Sequence, residues 1–392
     1  MKIELAYRVM NNFAKPMQLL GVLMAGLVSA SASAVNIIEY PIPTANSAPR
    51  NITSGPDGNL WFTEADGNKI GKITPGGVIT EFSIPTGASN PAGIAGGPDG
   101  NVWFTEEDGN NIGKISPTGV LVEFPLPVAY SRPSGITSGR DGNLWFAELR
   151  CAGCDPHTPF FAGTVGKITT SGVITEFAVP TYSSSPDGIA TGPDGNAWFT
   201  ERWSGNIGRV TPAGGIAEFP VNDYGYLTSI TNGPDGNLWF TKTYFLCANP
   251  AAPGCSPPNS PIGRITPGGV VTEFPLPGNG GLIGIANGPD GNLWFTDSAG
   301  RIGRATPVGV ITEYSIPTAN SAPSGITAGP DGNVWFTEST GNKIGKISVA
   351  TAANVQSAPA LGGPSLILLS VCMGMVGLLF ARRKRMDATS TH

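Results

Sequence analysis

The chain has 392 residues, a net charge of −5 and only 13% charged residues. Its one dense basic run is Arg382-Arg383-Lys384-Arg385 near the C-terminal end, so no basic stripe or aromatic-basic platform speaks for nucleic acid. High glycine content (55 residues) with little charge suits an exported, loop-rich scaffold.

At the N-terminus, Lys2, Arg8 and Lys15 precede an apolar run from Met17 to Val28 and a small-residue stretch ending at Ala34. A basic region, a short apolar region and an A-x-A site predict a secretory signal peptide over residues 1–34. An N-terminal membrane anchor is the alternative, and the shortness of the apolar run argues against it.

Residues 35–350 carry a block that returns seven times, clearest as Gly-Pro-Asp-Gly-Asn-Leu-Trp-Phe-Thr-Glu at Gly55–Glu64. Its tryptophans are Trp61, Trp103, Trp145, Trp198, Trp239, Trp294 and Trp335, so the repeat is about 40 residues with two longer intervals. A period of that size built from several short strands predicts an all-β, seven-bladed β-propeller. In the second repeat the strands fall at Gly93–Ala95, Asn101–Glu106, Ile112–Ile115 and Val120–Phe124, separated by Gly-Pro-Asp-Gly and Pro-Thr-Gly turns. The Asp of each Gly-x-Asp-Gly turn, from Asp57 to Asp331, reads as a turn former. The tryptophans read as core between sheets, and fourth-strand acids such as Glu81 and Glu123 as solvated.

The last repeat stops at Lys343–Ile347, and the fourth strand it lacks stands at the other end of the repeats as Ile37–Pro43. The N-terminal strand should therefore pair into the last blade, closing the ring and removing two sheet edges. The two long intervals hold Cys151, Cys154 and His157 in one insertion and Cys247 with Cys255 in the other. In an exported protein these pairs read as disulfide staples; a redox or zinc role has less support, since no βαβ unit and only one nearby histidine are present.

After a linker at 351–360, residues 361–392 comprise an apolar, uncharged run (Leu361 to Ala381) long enough to span a bilayer and the basic tail, which the positive-inside rule leaves cytoplasmic. With Ala358-Pro359-Ala360-Leu361, this end resembles the C-terminal protein-sorting tails of Gram-negative bacteria. The expected location is periplasmic or cell-surface, with the propeller tethered or its tail removed, and the propeller monomeric.

The end of strand two, the loop to strand three and the linkers between blades should share one face. That places Glu64, Glu106, Glu148, Glu201, Lys242, Asp297 and Glu338, the residues closing each Trp-Phe block, around one mouth as a candidate binding face. Clustered carboxylates could hold a divalent cation or supply a base, or could serve only to satisfy linker amides.

The blocks Gly-Ile-Thr-x-Gly-Pro-Asp-Gly-Asn-Leu-Trp-Phe-Thr-Glu and Ile-Gly-Lys-Ile-Thr-Pro-x-Gly-Val-Ile-Thr-Glu-Phe-Pro-Leu-Pro resemble the repeat of virginiamycin B (streptogramin B) lyases. The resemblance implies a seven-bladed propeller and an Mg²⁺-assisted elimination that opens the ester of a cyclic depsipeptide. It also implies catalytic histidines two residues before the strand-one Ile of the last two repeats, which are Ile283 and Ser324 here, and a further acid where Ala322 stands. Glu338 is the one family site position retained. The equivalent slots elsewhere are Arg50, Ala92, Ser134, Asp187 and Thr228, and the chain's two histidines are His157 and His392. The sequence therefore favours a scaffold that binds a small molecule, a glycan or a surface protein. A lyase using Mg²⁺ is the second expectation.

Overall fold

The computed structural model describes residues 35–149, 162–221, 225–244, 260–276 and 280–349. The expected signal peptide, the four insertion cysteines with His157, and the C-terminal segment all lie outside the described residues. Among the described residues there are 28 strands and no helix. They form seven four-stranded antiparallel sheets, the seven blades of the expected propeller.

Blade 1 consists of Pro49–Ser54, Leu60–Glu64, Lys69–Ile73 and Ile79–Ser83. Blades 2 to 6 repeat it along the chain, and blade 7 completes the ring from both ends. There Ile37–Pro41 pairs antiparallel with Lys343–Ile347, with Ile37 opposite Ile347 and Pro41 opposite Lys343. Glu39 fastens this closure by accepting hydrogen bonds from the Thr318 amide (2.9 Å), the Thr318 hydroxyl (2.8 Å) and Lys343 Nζ (2.8 Å).

Strand two is buried along its whole length because it has a blade on either side. Side chains alternate faces with period two. Trp61 accordingly packs with Ile94 and Phe104 of blade 2, whereas its neighbour Phe62 packs with Trp335 and Ile344 of blade 7. Gly71 faces the Phe62 ring, and a β-carbon there would come within 2.1 Å of it. That contact explains the Ile-Gly-Lys of strand three. The opposite face of each blade stacks Trp61 on Phe82 (5.6 Å between centroids), with Lys72 Nζ 5.1 Å from the indole.

The turn aspartates do more than shape turns. Asp57 Oδ1 accepts a hydrogen bond from Trp61 Nε1 at 3.0 Å while Oδ2 accepts one from Asn59 Nδ2 at 2.9 Å. The indole bond recurs in all seven blades, down to Asp331 and Trp335 at 2.9 Å. Burial works against the charge of Asp57, but these donors and Lys72 outweigh it and hold the carboxyl below its ordinary range.

The fourth-strand acids depart from the expectation of solvated side chains. Glu81 is only 14% exposed. It accepts hydrogen bonds from the Thr44 amide (2.9 Å) and hydroxyl (2.8 Å) in the preceding linker, and from Lys69 Nζ at 3.0 Å. A linker threonine needs an acceptor there because its amide is turned out of any sheet ladder.

Candidate functional site

Strand one of each blade lines the axis of the ring. Close approach there demands glycine: a β-carbon on Gly93 would lie 2.2 Å from the Ser134 carbonyl oxygen. The strands surround a cavity of about 540 Å³. Seven equivalent slots look into it, occupied by Arg50, Ala92, Ser134, Asp187, Thr228, Ile283 and Ser324. Thr243, which ends strand two of blade 5, and residues just beyond strand two in other blades, Glu107, Leu149, Arg202 and Ser298, add to the lining. Leu149 and Thr243 stand close to the two cysteine-bearing insertions along the chain.

The cavity has two unlike walls. Blades 1 to 4 carry the charge. Arg50 Nη1 donates to Glu107 Oε2 at 2.7 Å, Arg132 Nη2 also donates to Glu107, and Arg202 Nη1 donates to Asp187 Oδ2 at 3.3 Å. Blades 5 to 7 face these with Thr228, Ile283 and Ser324, which are neutral. Asp187 lies deep enough that surrounding protein raises its carboxyl to about 6. Arg202 and Arg50 pull it down and Glu107 pushes it up, and the side chain keeps 21% exposure to the cavity.

The seven residues expected at the mouth are elsewhere. Glu64, Glu106, Glu148, Glu201, Lys242, Asp297 and Glu338 are all fully buried, and none lines the cavity. All but Lys242, which Thr243 follows in its strand, are the last residue of strand two, and Glu64, for example, is set opposite both Pro49 of strand one and Lys69 of strand three. The linker amide of Ser47 donates instead to Asn342 Oδ1 at 2.8 Å.

These buried residues belong to small charge clusters. Burial pushes Glu64, Glu106, Glu201 and Glu338 each up to about 7, and the fourth-strand acid of the same blade adds repulsion. In blade 6 Arg301 bridges Asp297, with Nε at 2.8 Å, and Glu313, with Nη1 at 3.1 Å. In blade 5 the order inverts, and Lys242 itself meets Glu273.

Of the positions implied by family resemblance, Ile283 and Ser324 do line the cavity. Glu338 does not, and its burial bears on the implied Mg²⁺. A magnesium ion wants several hard oxygen ligands around an open position. Glu338 is sealed beneath the loop that holds Gly341 and beside Ser321, and Ala322 offers a methyl group. Among the described residues no group of three His, Cys, Asp or Glu side chains could hold a metal ion. The residues present do not fit that ion.

Glu107 and Arg202 were missed in the sequence, and Asp187 was noticed only as a slot. Their signal is variability: the Gly-Pro-Asp-Gly and Trp-Phe blocks are copied for packing, while these positions change from blade to blade.

Residues 25–154, 157–245 and 257–366 match the model of the Virginiamycin B lyase family. The chain belongs to that family. Over 46 residues it is 41% identical to virginiamycin B lyase of Bordetella parapertussis and 44% identical to that of Saccharopolyspora erythraea. Those alignments cover 12% of this chain and 15% of each relative. The likeness in three dimensions is wider. A streptogramin B lyase structure superposes with a TM-score of 0.71 at 36% identity, covering 81% of this chain and 98% of the other. A catalytically inactive histidine-to-alanine virginiamycin B lyase from Staphylococcus aureus, solved with quinupristin, gives 0.70 at 34%, covering 81% and 100%. This virginiamycin B lyase family member thus keeps the family's propeller while its cavity carries Arg50, Glu107, Asp187 and Arg202 on one wall and Ile283 and Ser324 on the other.

Proposed function

We propose that this family member is a ligand-binding propeller, exported and tethered to a membrane by its C-terminal segment, that does not act as a histidine-dependent lyase. One observation carries the reading. The two cavity slots where family resemblance implies catalytic histidines hold Ile283 and Ser324, and neither side chain can exchange a proton near neutral pH. The charged residues opposite suit recognition, since paired arginines and carboxylates fix the orientation of a polar ligand. The ligand would be a small molecule, a glycan or a segment of a surface protein.

The second reading is the family's elimination on a cyclic depsipeptide, and the 36% identity across almost the whole of a streptogramin B lyase favours it. One experiment separates the two. The purified full-length protein is incubated with quinupristin and Mg²⁺, and the products are followed by liquid chromatography and mass spectrometry. The binding reading expects the cyclic depsipeptide to be recovered intact. A linear product of unchanged mass would overturn it.

A further inference from the structure

Seven tryptophans are buried between blades, but the eighth is not. Trp203 is 61% exposed. It meets Tyr226 edge to face, with ring centroids 4.7 Å apart and planes at 89°, and Tyr226 lines the cavity. Trp203 directly follows Arg202, the guanidinium that pairs with Asp187. Blades 1, 2 and 7 place Ala65-Asp66, Glu107-Asp108 and Ser339-Thr340 at these two positions. Blade construction therefore requires neither residue; Arg202 lines the cavity, and Trp203 stands next to it against the ring of Tyr226, which also lines it.

An exposed indole offers an apolar face with a polar edge. A guanidinium offers a fork of donors that matches a carboxylate. Arg50, Arg132 and Arg202 keep 40%, 36% and 38% side-chain exposure, and each gives part of its fork to Glu107 or Asp187. The hydroxyls of Thr243 and Ser298 lie on the wall opposite. Glu107, Asp187 and Asp108 nearly balance the three arginines, so a multiply charged phosphate would meet as much repulsion as attraction. In a uronic-acid chain each sugar brings one carboxylate among its hydroxyl groups, so the charge is spread along the chain and Arg202 meets one carboxylate at a time, which suits this cavity better.

Resting on the ligand-binding reading above, we propose that the cavity binds an acidic glycan, a uronic-acid oligosaccharide whose sugar face packs on Trp203 and whose carboxylate is held by Arg202. Asp187 competes with that carboxylate for Arg202. The charged groups facing Asp187 are Arg202, Arg50 and Glu107, and Arg132 and Asp108 stand behind Glu107. Blades 5 to 7 present Thr228, Ile283 and Ser324, which do not titrate. Protonation of Asp187 below about 6 releases Arg202, while a uronate, like other carboxylic acids, stays ionised to about pH 4.

The test is isothermal titration of the full-length protein with tetragalacturonate, its methyl ester and maltotetraose at pH 7.5 and 5.5. The acid should bind with a Kd of about 0.1–1 mM and tighten several-fold at pH 5.5. The ester should bind about tenfold more weakly, and Arg202→Gln should abolish that preference. Trp203→Ala should weaken both acid and ester about tenfold. Thermal unfolding checks that each variant folds. Absence of binding to the acid up to about 10 mM, equal affinity for acid and ester, or an unaffected Trp203→Ala variant would each overturn the acidic-glycan proposal. Those results leave the ligand-binding reading standing, because that reading falls only on depsipeptide turnover.

Discussion

Lys242 Nζ lies 2.9 Å from Glu273 Oε1, and it occupies the position where five other blades bury a glutamate. In blades 1 and 7 the cation of the cluster comes instead from strand three, as Lys69 beside Glu81 and Lys343 beside Glu39. Blade 5 has Pro261 at that strand-three position, so its cation has moved one strand inward. Burial disfavours the Lys242 charge, but hydrogen bonds to Glu273 and Tyr244 outweigh it and raise its pKa. The exchange keeps one cation beside the fourth-strand acid in blade 5, as in blades 1 and 7. Lys242→Met should therefore lower stability by about 1–2 kcal/mol, the modest figure reflecting that Glu273 keeps water contact. Urea unfolding measures it, and an unchanged midpoint would refute the pairing.

Stability should fall as pH rises from about 4.5 to 7. Glu64, Glu106, Glu201 and Glu338 have folded values near 7 against 4.5 for the free side chain. Between those values the native state binds more protons than the unfolded one, so each unit of pH costs stability. The upper bound is about 3 kcal/mol for each carboxyl. The lowered groups act oppositely. Asp57, Glu39 and Glu81 stabilise above their unfolded values and lose that contribution as pH falls through their folded ones. The melting temperature should thus peak near pH 5. Glu106→Gln should raise it at pH 8 and flatten the alkaline side, and a profile rising steadily to pH 8 would contradict the assignment.

Asp99→Ala should remove one blade's indole lock. Asp99 accepts from Trp103 Nε1 at 3.0 Å and from Asn101 Nδ2 at 2.8 Å, so the buried indole N–H is left without its acceptor. Losing a buried partner of this kind costs about 2 kcal/mol. Thermal unfolding followed by tryptophan fluorescence reports both the loss and the changed indole environment.

The propeller and its closure were legible in the sequence because packing copies residues. Every blade needs Trp, Phe, the turn Asp and the strand-three Gly, so Gly71 and its equivalents recur wherever a Phe ring must lie flat against strand three. The site was legible only in part. Glu106 and Glu107 are adjacent, and the repeat pattern points to Glu106 at the mouth. That residue is held inside the sheet, whereas its neighbour, past the strand end, reaches the cavity. Periodicity reveals where strands end but not which way the next side chain turns. Trp203 stands at a repeat position that blades 1, 2 and 7 fill with Asp66, Asp108 and Thr340, so it carries no periodic signal.

Glu338 tests whether family resemblance or local geometry describes this chain better. It is the one retained family position, and its side chain is fully buried. Burial, with repulsion from Glu39, raises it to about 7, while Lys343 and Ser321 pull the other way. If the residue is structural, Glu338→Gln removes a charge that the fold tolerates poorly above pH 7 and leaves the cavity unchanged. The variant should then gain stability at pH 8, by up to about 3 kcal/mol, with the same affinity for a cavity ligand such as tetragalacturonate. Lost binding in a variant that still unfolds cooperatively would mean that the carboxylate reaches the ligand. The resemblance would then outweigh the burial seen here.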